Sequence, residues 1–172
     1  MITGELKNKL NELLEKFTSE QGFDELFKNP PSDIVNNADK TAGVYIITVK
    51  HCKKDKIDRL LGSDMNRILY IGQTGIKTGL WKRLRLFYKS ATTYVESEPD
   101  KSQNGHCGGK KYFRILKDHF GSEVQGLNVR YHICIERDEK KLEAELISTY
   151  LKIYGEVPPL NGVIPKLREN SQ

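Results

Sequence analysis

Two stretches decide what this chain is able to fold into: "GVYIITVK", Gly43 to Lys50, and "RILYIG", Arg67 to Gly72. Both are rich in β-branched and aromatic residues and apolar at consecutive positions, the pattern of strands buried on both faces. A sheet at the centre of the chain, covered on each side, is the expected consequence. "HCKKDKIDRLLGSDMN" lies between them and is too long for a tight hairpin, so the strands pair through an elaborated loop or a small insertion. A third strand is expected in "VRYHICIE", with Val129, Tyr131, Ile133 and Ile135 facing one way and Arg130, His132, Cys134 and Glu136 the other.

Helical patterns flank these strands. Leu6, Leu10, Leu13, Leu14 and Phe17 recur at helical spacing, and their stripe must dock either on its own domain or, as the sharper reading, on a second copy in a homodimer. A short element from Phe23 to Phe27 ends at "NPPSD", where Pro30 and Pro31 exclude helix. The boundaries expected from this are a helical extension over 1–38, one domain over 39–164 and a polar tail over 165–172. After the Gln-Thr-Gly corner that closes the second strand, Leu80, Leu84 and Phe87 form the buried face of a helix. Lys82, Arg85 and Lys89 line another face, either solvated or turned to phosphate. Residues 90–109 read as a loop, "KKYFRILKDHF" as a further helix, and Asp138 as the cap of a long helix reaching Tyr154.

A chain of 172 residues suits a single core, and its 28 Lys and Arg against 23 Asp and Glu, a net charge of +5, favour an anionic partner such as nucleic acid. Its three cysteines are odd in number and form no C-x-x-C pair, which points to a reducing cytosol. No apolar run approaches the ~18 residues that cross a bilayer, and the N-terminus lacks a signal-peptide core, so a cytoplasmic protein without a membrane partner is expected. His51-Cys52 and His106-Cys107 offer zinc-ligand chemistry, but adjacent pairs lack the spacing of structural zinc sites.

Within the last helix, Leu142, Leu146, Ile147, Tyr150, Leu151, Ile153 and Tyr154 form one broad apolar face, and Glu143 falls in the middle of it. Glu145 points the opposite way and reads as a surface charge. A carboxylate aimed at a core costs several kcal/mol unless it is paired, protonated or bound to a metal. Its partner is either an arginine in a structural ion pair or a hard divalent cation completed by waters and phosphate oxygens. Arg83, along the buried edge of its helix, is a candidate for that ion pair and equally for a phosphate clamp.

"GVY" at Gly43 to Tyr45, "YIG" at Tyr70 to Gly72, Arg83 on the following helix, "LEAELI" at Leu142 to Ile147 and "PPLN" ending at Asn161 together resemble the GIY-YIG nuclease family over roughly residues 42–162. The resemblance implies an α+β fold, a small three-stranded antiparallel sheet flanked by helices. It implies a metal-dependent DNA endonuclease that hydrolyses phosphodiester bonds with Mg2+, or another divalent cation such as Mn2+, held on Glu143. Catalytic roles then fall to Tyr45, Tyr70, Arg83, Glu143 and Asn161. Tyr70, with Tyr45 beside it, would deprotonate the attacking water, a nearby cation and Arg83 favouring its phenolate. The family usually carries His or Tyr one turn after the arginine, where this chain has Phe87. Tyr88, or a histidine from "HCGGKKYF", namely His106, is the expected substitute in the proton route.

A separate DNA-binding domain is not expected within these 172 residues. Contacts to DNA are therefore expected from Lys82, Arg85, Lys89, Lys110, Lys111 and Arg114, and from Lys53, Lys54, Lys56 and Lys101 in the insertions. The plan suits a stand-alone endonuclease of the restriction type, and equally a phage, mobile-element or repair nuclease. Two rivals come from other classes: a nucleic-acid-binding module with an inert site, suggested by Phe87, and a structural domain in which Glu143 and Arg83 form a buried ion pair.

Overall fold

A computed structural model describes residues 2–35, 41–50, 56–93, 105–116 and 126–162. In chain order its elements are α1 (Ile2–Glu15), β1 (Gln21–Gly22), α2 (Phe23–Lys28), α3 (Ser32–Val35), β2 (Gly43–Val49), β3 (Ile57–Arg59), β4 (Gly62–Asp64), β5 (Ile68–Thr74), α4 (Leu80–Thr92), α5 (Cys107–Lys111), β6 (Leu127–Ile133) and α6 (Glu139–Tyr154). A π-helical turn, Tyr112–Leu116, continues α5.

The fold is mixed α+β. Every residue of β2 is buried, and β2 occupies an interior position of a four-stranded antiparallel sheet ordered β1-β6-β2-β5. Alternation sorts its side chains into two cores. Tyr45, Ile47 and Val49 face α2, α4 and the π turn, packing with Phe23, Leu26, Leu80, Leu84, Phe87 and Tyr112. Val44 and Ile46 face α1 and α6, packing with Leu10, Leu14, Leu146 and Tyr150. The α1 stripe is therefore covered within its own chain, and Lys9 of α1 reaches Glu145 of α6 at 2.8 Å. The ground for a dimer through α1 is thereby removed.

The segment between the tyrosine strands carries the β3–β4 hairpin, the small insertion expected there. Two features differ from the sequence reading. The expected three-stranded sheet gains a fourth strand, β1, whose two residues pair with Asn128 and Val129 and are too few to show a period. The third strand stops at Ile133: Cys134 is buried and donates its N–H to the Ala42 carbonyl at 3.0 Å, and Arg137 turns the chain at φ 58°. Ile135, expected on the inward face, is 90% exposed.

Helix ends follow local chemistry. The break at Pro30 and Pro31 separates α2 from α3. Asp138 stands at the N-cap of α6 without a side-chain capping bond, and its carboxylate engages Cys134 instead. Gly155 ends the same helix at φ 76°, a left-handed conformation that glycine adopts without steric cost.

Candidate active site

β5 is an edge strand, and an edge leaves a row of backbone donors and acceptors unpaired on its outer side. On β5 these groups belong to Leu69, Ile71 and Gln73, the positions one period apart. Leu160 donates its N–H to the Leu69 carbonyl at 2.9 Å. Asn161 closes a two-way clasp on Ile71, accepting from its N–H at 3.0 Å and donating to its carbonyl at 2.7 Å. The Gln73 N–H donates to Glu143. Asn161 thus acts as a backbone surrogate, and Glu143 reaches from α6 around the sheet edge toward the face that carries the tyrosines.

On that face Tyr45 pairs across the ladder with Gly72, and Ile47 with Tyr70. Tyr70 lies over its neighbour, ring centroids 5.9 Å apart, in space that only glycine leaves open. A Cβ on Gly72 would overlap the Tyr70 ring and stand 2.8 Å from the Tyr45 hydroxyl. Here the "YIG" glycine is a steric requirement of the two rings.

Tyr45 is fully buried and receives two hydrogen bonds. Arg83 Nε donates to its hydroxyl at 3.3 Å, and His106 Nε2 lies 2.5 Å away. The tautomer of His106 follows from its other nitrogen: Nδ1 accepts from the Gly109 N–H at 3.3 Å. Burial, with Arg83 adding, lowers the imidazole pKa to about 3; the ring's contact with its own backbone carbonyl opposes this and is outweighed. The ring is therefore neutral, carries its proton on Nε2 and donates it to Tyr45. With two donors already aimed at its oxygen, Tyr45 has its own proton free on the side of Tyr70, whose ring centroid lies 5.9 Å from its own. Gly109 and His106 thus donate in turn toward the Tyr45 hydroxyl, which sits beside the half-buried Tyr70 phenol.

His106 thus occupies the space that Phe87 leaves beside the tyrosines, its ring centroid 5.0 Å from Phe87 and 5.2 Å from Tyr70. Tyr88, the other expected substitute, points away and donates to Asp24 at 3.3 Å. The "HCGG" segment read as loop is the start of α5. Its glycines permit the approach, since a Cβ on Gly108 would press on the Tyr70 ring at 3.0 Å and one on Gly109 would strike α4 at Phe87 and Ser90. Ser90 holds the His106 N–H at 2.8 Å.

Electrostatics differ from the expectation in one respect. Burial pushes the Tyr70 phenol above its ordinary value, with Glu143 adding; Arg83 and the bond from Tyr45 pull it down but do not prevail. Tyr45 is raised further, chiefly by complete burial. Glu143 is lifted to about 7 by burial, against the Gln73 N–H and the Arg83 charge. Arg83 and Glu143 do not form the ion pair of the structural alternative: among the described residues neither has an oppositely charged partner within 4.0 Å.

No family model, curated protein or solved structure matches this chain.

Of the expected nucleic-acid contacts, Lys82, Arg85 and Lys89 are exposed on α4, Arg114 is exposed on the π turn, and Lys110 and Lys111 are half-buried on α5. Lys56 bonds Ser63 and Asp58. Lys53, Lys54, Lys101 and the 165–172 tail lie outside the described residues, as do His51 and Cys52 of the zinc alternative. Among the described residues no three His, Cys, Asp or Glu side chains gather as a metal site, and no helix is long and apolar enough to cross a membrane. Gln73, Ser90 and Gly109 support the site and were not singled out in the sequence reading. The Gly-Gly pair after His106 was the one available signal, because adjacent glycines mark a close approach as well as a loop.

Proposed function

We propose that this chain is a metal-dependent DNA endonuclease that hydrolyses phosphodiester bonds by GIY-YIG-type chemistry. The observation that carries the reading is the company of Glu143: a half-buried carboxylate raised to about 7, bonded by one backbone N–H, facing a tyrosine pair and an unneutralised arginine. A structural carboxylate in such surroundings collects partners; one awaiting a cation does not.

Glu143 fits Mg2+ or Mn2+ in the mode that uses a single protein carboxylate, with water and substrate oxygens completing the shell. Such a cation would supply Lewis-acid stabilisation to the leaving 3′ oxygen. The chain's own residues do the rest. Tyr70, having released its own proton to solvent, orients a water as the phenolate and takes the water's proton as the water oxygen bonds to phosphorus and the P–O3′ bond breaks. The phenolate that must form there is stabilised by the Tyr45 hydroxyl and the Arg83 charge, the two influences that already pull Tyr70 down. Tyr45 can donate in that direction because His106 and Arg83 occupy its lone pairs. Arg83, anchored through Nε, offers its remaining donors to the phosphate charge that grows in the transition state. Asn161 keeps β5 and its tyrosine in register by replacing a missing neighbour strand.

The inert-module reading rested on Phe87, and His106 lessens its force by filling the same space from another element. Restriction, mobile-element and repair duties share this chemistry. The test is supercoiled plasmid incubated with the purified protein, with and without Mg2+, beside Glu143→Ala of verified fold. Metal-dependent nicking or linearisation, lost in the variant, is expected. Equal cutting by both proteins, or none by either across several metals with DNA binding retained, would overturn the proposal.

A further inference from the structure

The face of α4 turned away from the tyrosines carries a feature that hydrolysis does not use. Arg83 lies two residues from both Trp81 and Arg85, a rotation of about 200° each way on a helix, so those two project on the side opposite the catalytic arginine. There α2 and α4 enclose a groove of about 930 Å³. Its wall is aromatic: Phe27 meets Trp81 at 5.1 Å with the rings tilted and Tyr88 at 4.9 Å edge to face, and all three rings stay partly exposed. Its rim is cationic. Lys28, Lys82, Arg85 and Lys89 are exposed, and among the described residues none has an ion-pair partner and Asp24 is the single carboxylate of the lining.

A groove that is only apolar would suit a peptide or a lipid chain, and one that is only basic would suit any polyanion. Alternating ring faces and unpaired cations fit a ligand that is itself both, with flat π-faces and a negative charge at each repeat. We infer that this groove binds an unpaired nucleic-acid strand, bases stacked on Trp81 and Phe27 and phosphates on Lys82, Arg85 and Lys89. Duplex DNA offers the phosphates but keeps its bases stacked inside, so it cannot use the aromatic wall. The inference rests on the proposed nuclease reading only for the class of partner. It adds a second contact, on the far side of α4 from the scissile phosphate, that favours substrates with a single-stranded flank.

The chain contains one tryptophan, and it lies in this groove, so its fluorescence reports occupancy directly. The test titrates the full chain, in EDTA so that nothing is cut, with an oligothymidylate, an oligouridylate, a blunt duplex and inorganic tripolyphosphate. Saturable quenching by the single strands, stronger than by duplex or tripolyphosphate, is expected, and the stronger of the first two identifies DNA or RNA as the source. Phe27→Leu should weaken that binding by roughly 5- to 150-fold, the range of one lost stacking contact. Lys89→Gln should lower the slope of log affinity against log salt by about 0.7, as for one phosphate of a single strand. Absence of quenching, or duplex and tripolyphosphate acting as strongly as the single strands, overturns the inference. Because no cleavage is read, a chain that binds here without cutting plasmid loses only the nuclease reading, and one that cuts without quenching loses only the groove.

Discussion

Asp64 and Glu143 are both carboxylates set among apolar side chains, both are raised by burial, and they differ in what holds them. Asp64, at the end of β4, is fully buried and collects four donors: the N–H groups of Asn66 and Ile68, each at 2.8 Å, and the hydroxyls of Tyr150 at 2.9 Å and Tyr154 at 3.5 Å. Through them it pins the hairpin and the start of β5 to α6. Glu143, on the same helix as those tyrosines, has one backbone donor and partial exposure. A perturbed pKa alone does not separate the two; the count of donors does. The satisfied carboxylate belongs to the fold, and the unsatisfied one is available to a ligand.

The largest effect expected from breaking this contrast is at Asp64. Asp64→Ala leaves several buried donors without an acceptor and should destabilise the chain by about 3 to 5 kcal/mol, since each orphaned group costs ~1–3 kcal/mol. Urea denaturation measures it, and a loss under 1 kcal/mol would remove Asp64 from the structural side of the comparison. Next, Gly72→Ala forces the Tyr70 ring off Tyr45 and should cost ~10²-fold or more in Mg2+-dependent cleavage, the scale of one misplaced catalytic group. Wild-type turnover in this variant would show that the tyrosine pair is not the reacting site.

A smaller effect follows from the titration of Glu143. Its pKa is higher in the folded chain, about 7, than the 4.5 of a free glutamate, so the folded state holds the extra proton. The stability linked to that proton is complete below pH 4.5 and is lost as pH rises through 7. Glu143→Gln, which cannot ionise, should match wild type near pH 4.5 and exceed it at pH 8 by roughly 1–2 kcal/mol, the shift being discounted for partial exposure. The smallest effect is reserved for Lys9→Ala, which breaks the solvent-exposed pair with Glu145. Its unfolding free energy should change by no more than ~0.5 kcal/mol.

Much of this was legible in residue pattern because burial and period are local properties. The run from Gly43 to Val49 reads as an interior strand since it is apolar on both faces, Thr48 being its one polar side chain, and Glu143 stands out since the helix face around it is apolar too. Pairing across distance left no such mark. The Gly-Gly pair near His106 marks a close approach but does not say that the ring will meet Tyr45, 61 positions earlier, because the contact depends on how closely Gly108 and Gly109 let α5 approach α4 and Tyr70. Asp64 in "GSDMN" looks like a turn residue, and its four donors come from β5 and α6 as well as its own turn. The two residues of β1 became a strand only because β6 presents an edge to them.

That Glu143 is kept for a ligand and not for the fold is tested most directly by the thermal unfolding of Glu143→Gln beside wild type at pH 8 without metal. A Tm a few degrees above wild type, with the gap closing toward pH 4.5, is the expected result. A Tm well below wild type at pH 8 would mean that the ionised carboxylate supports the structure as Asp64 does, and would contradict the assignment of Glu143 to the active site.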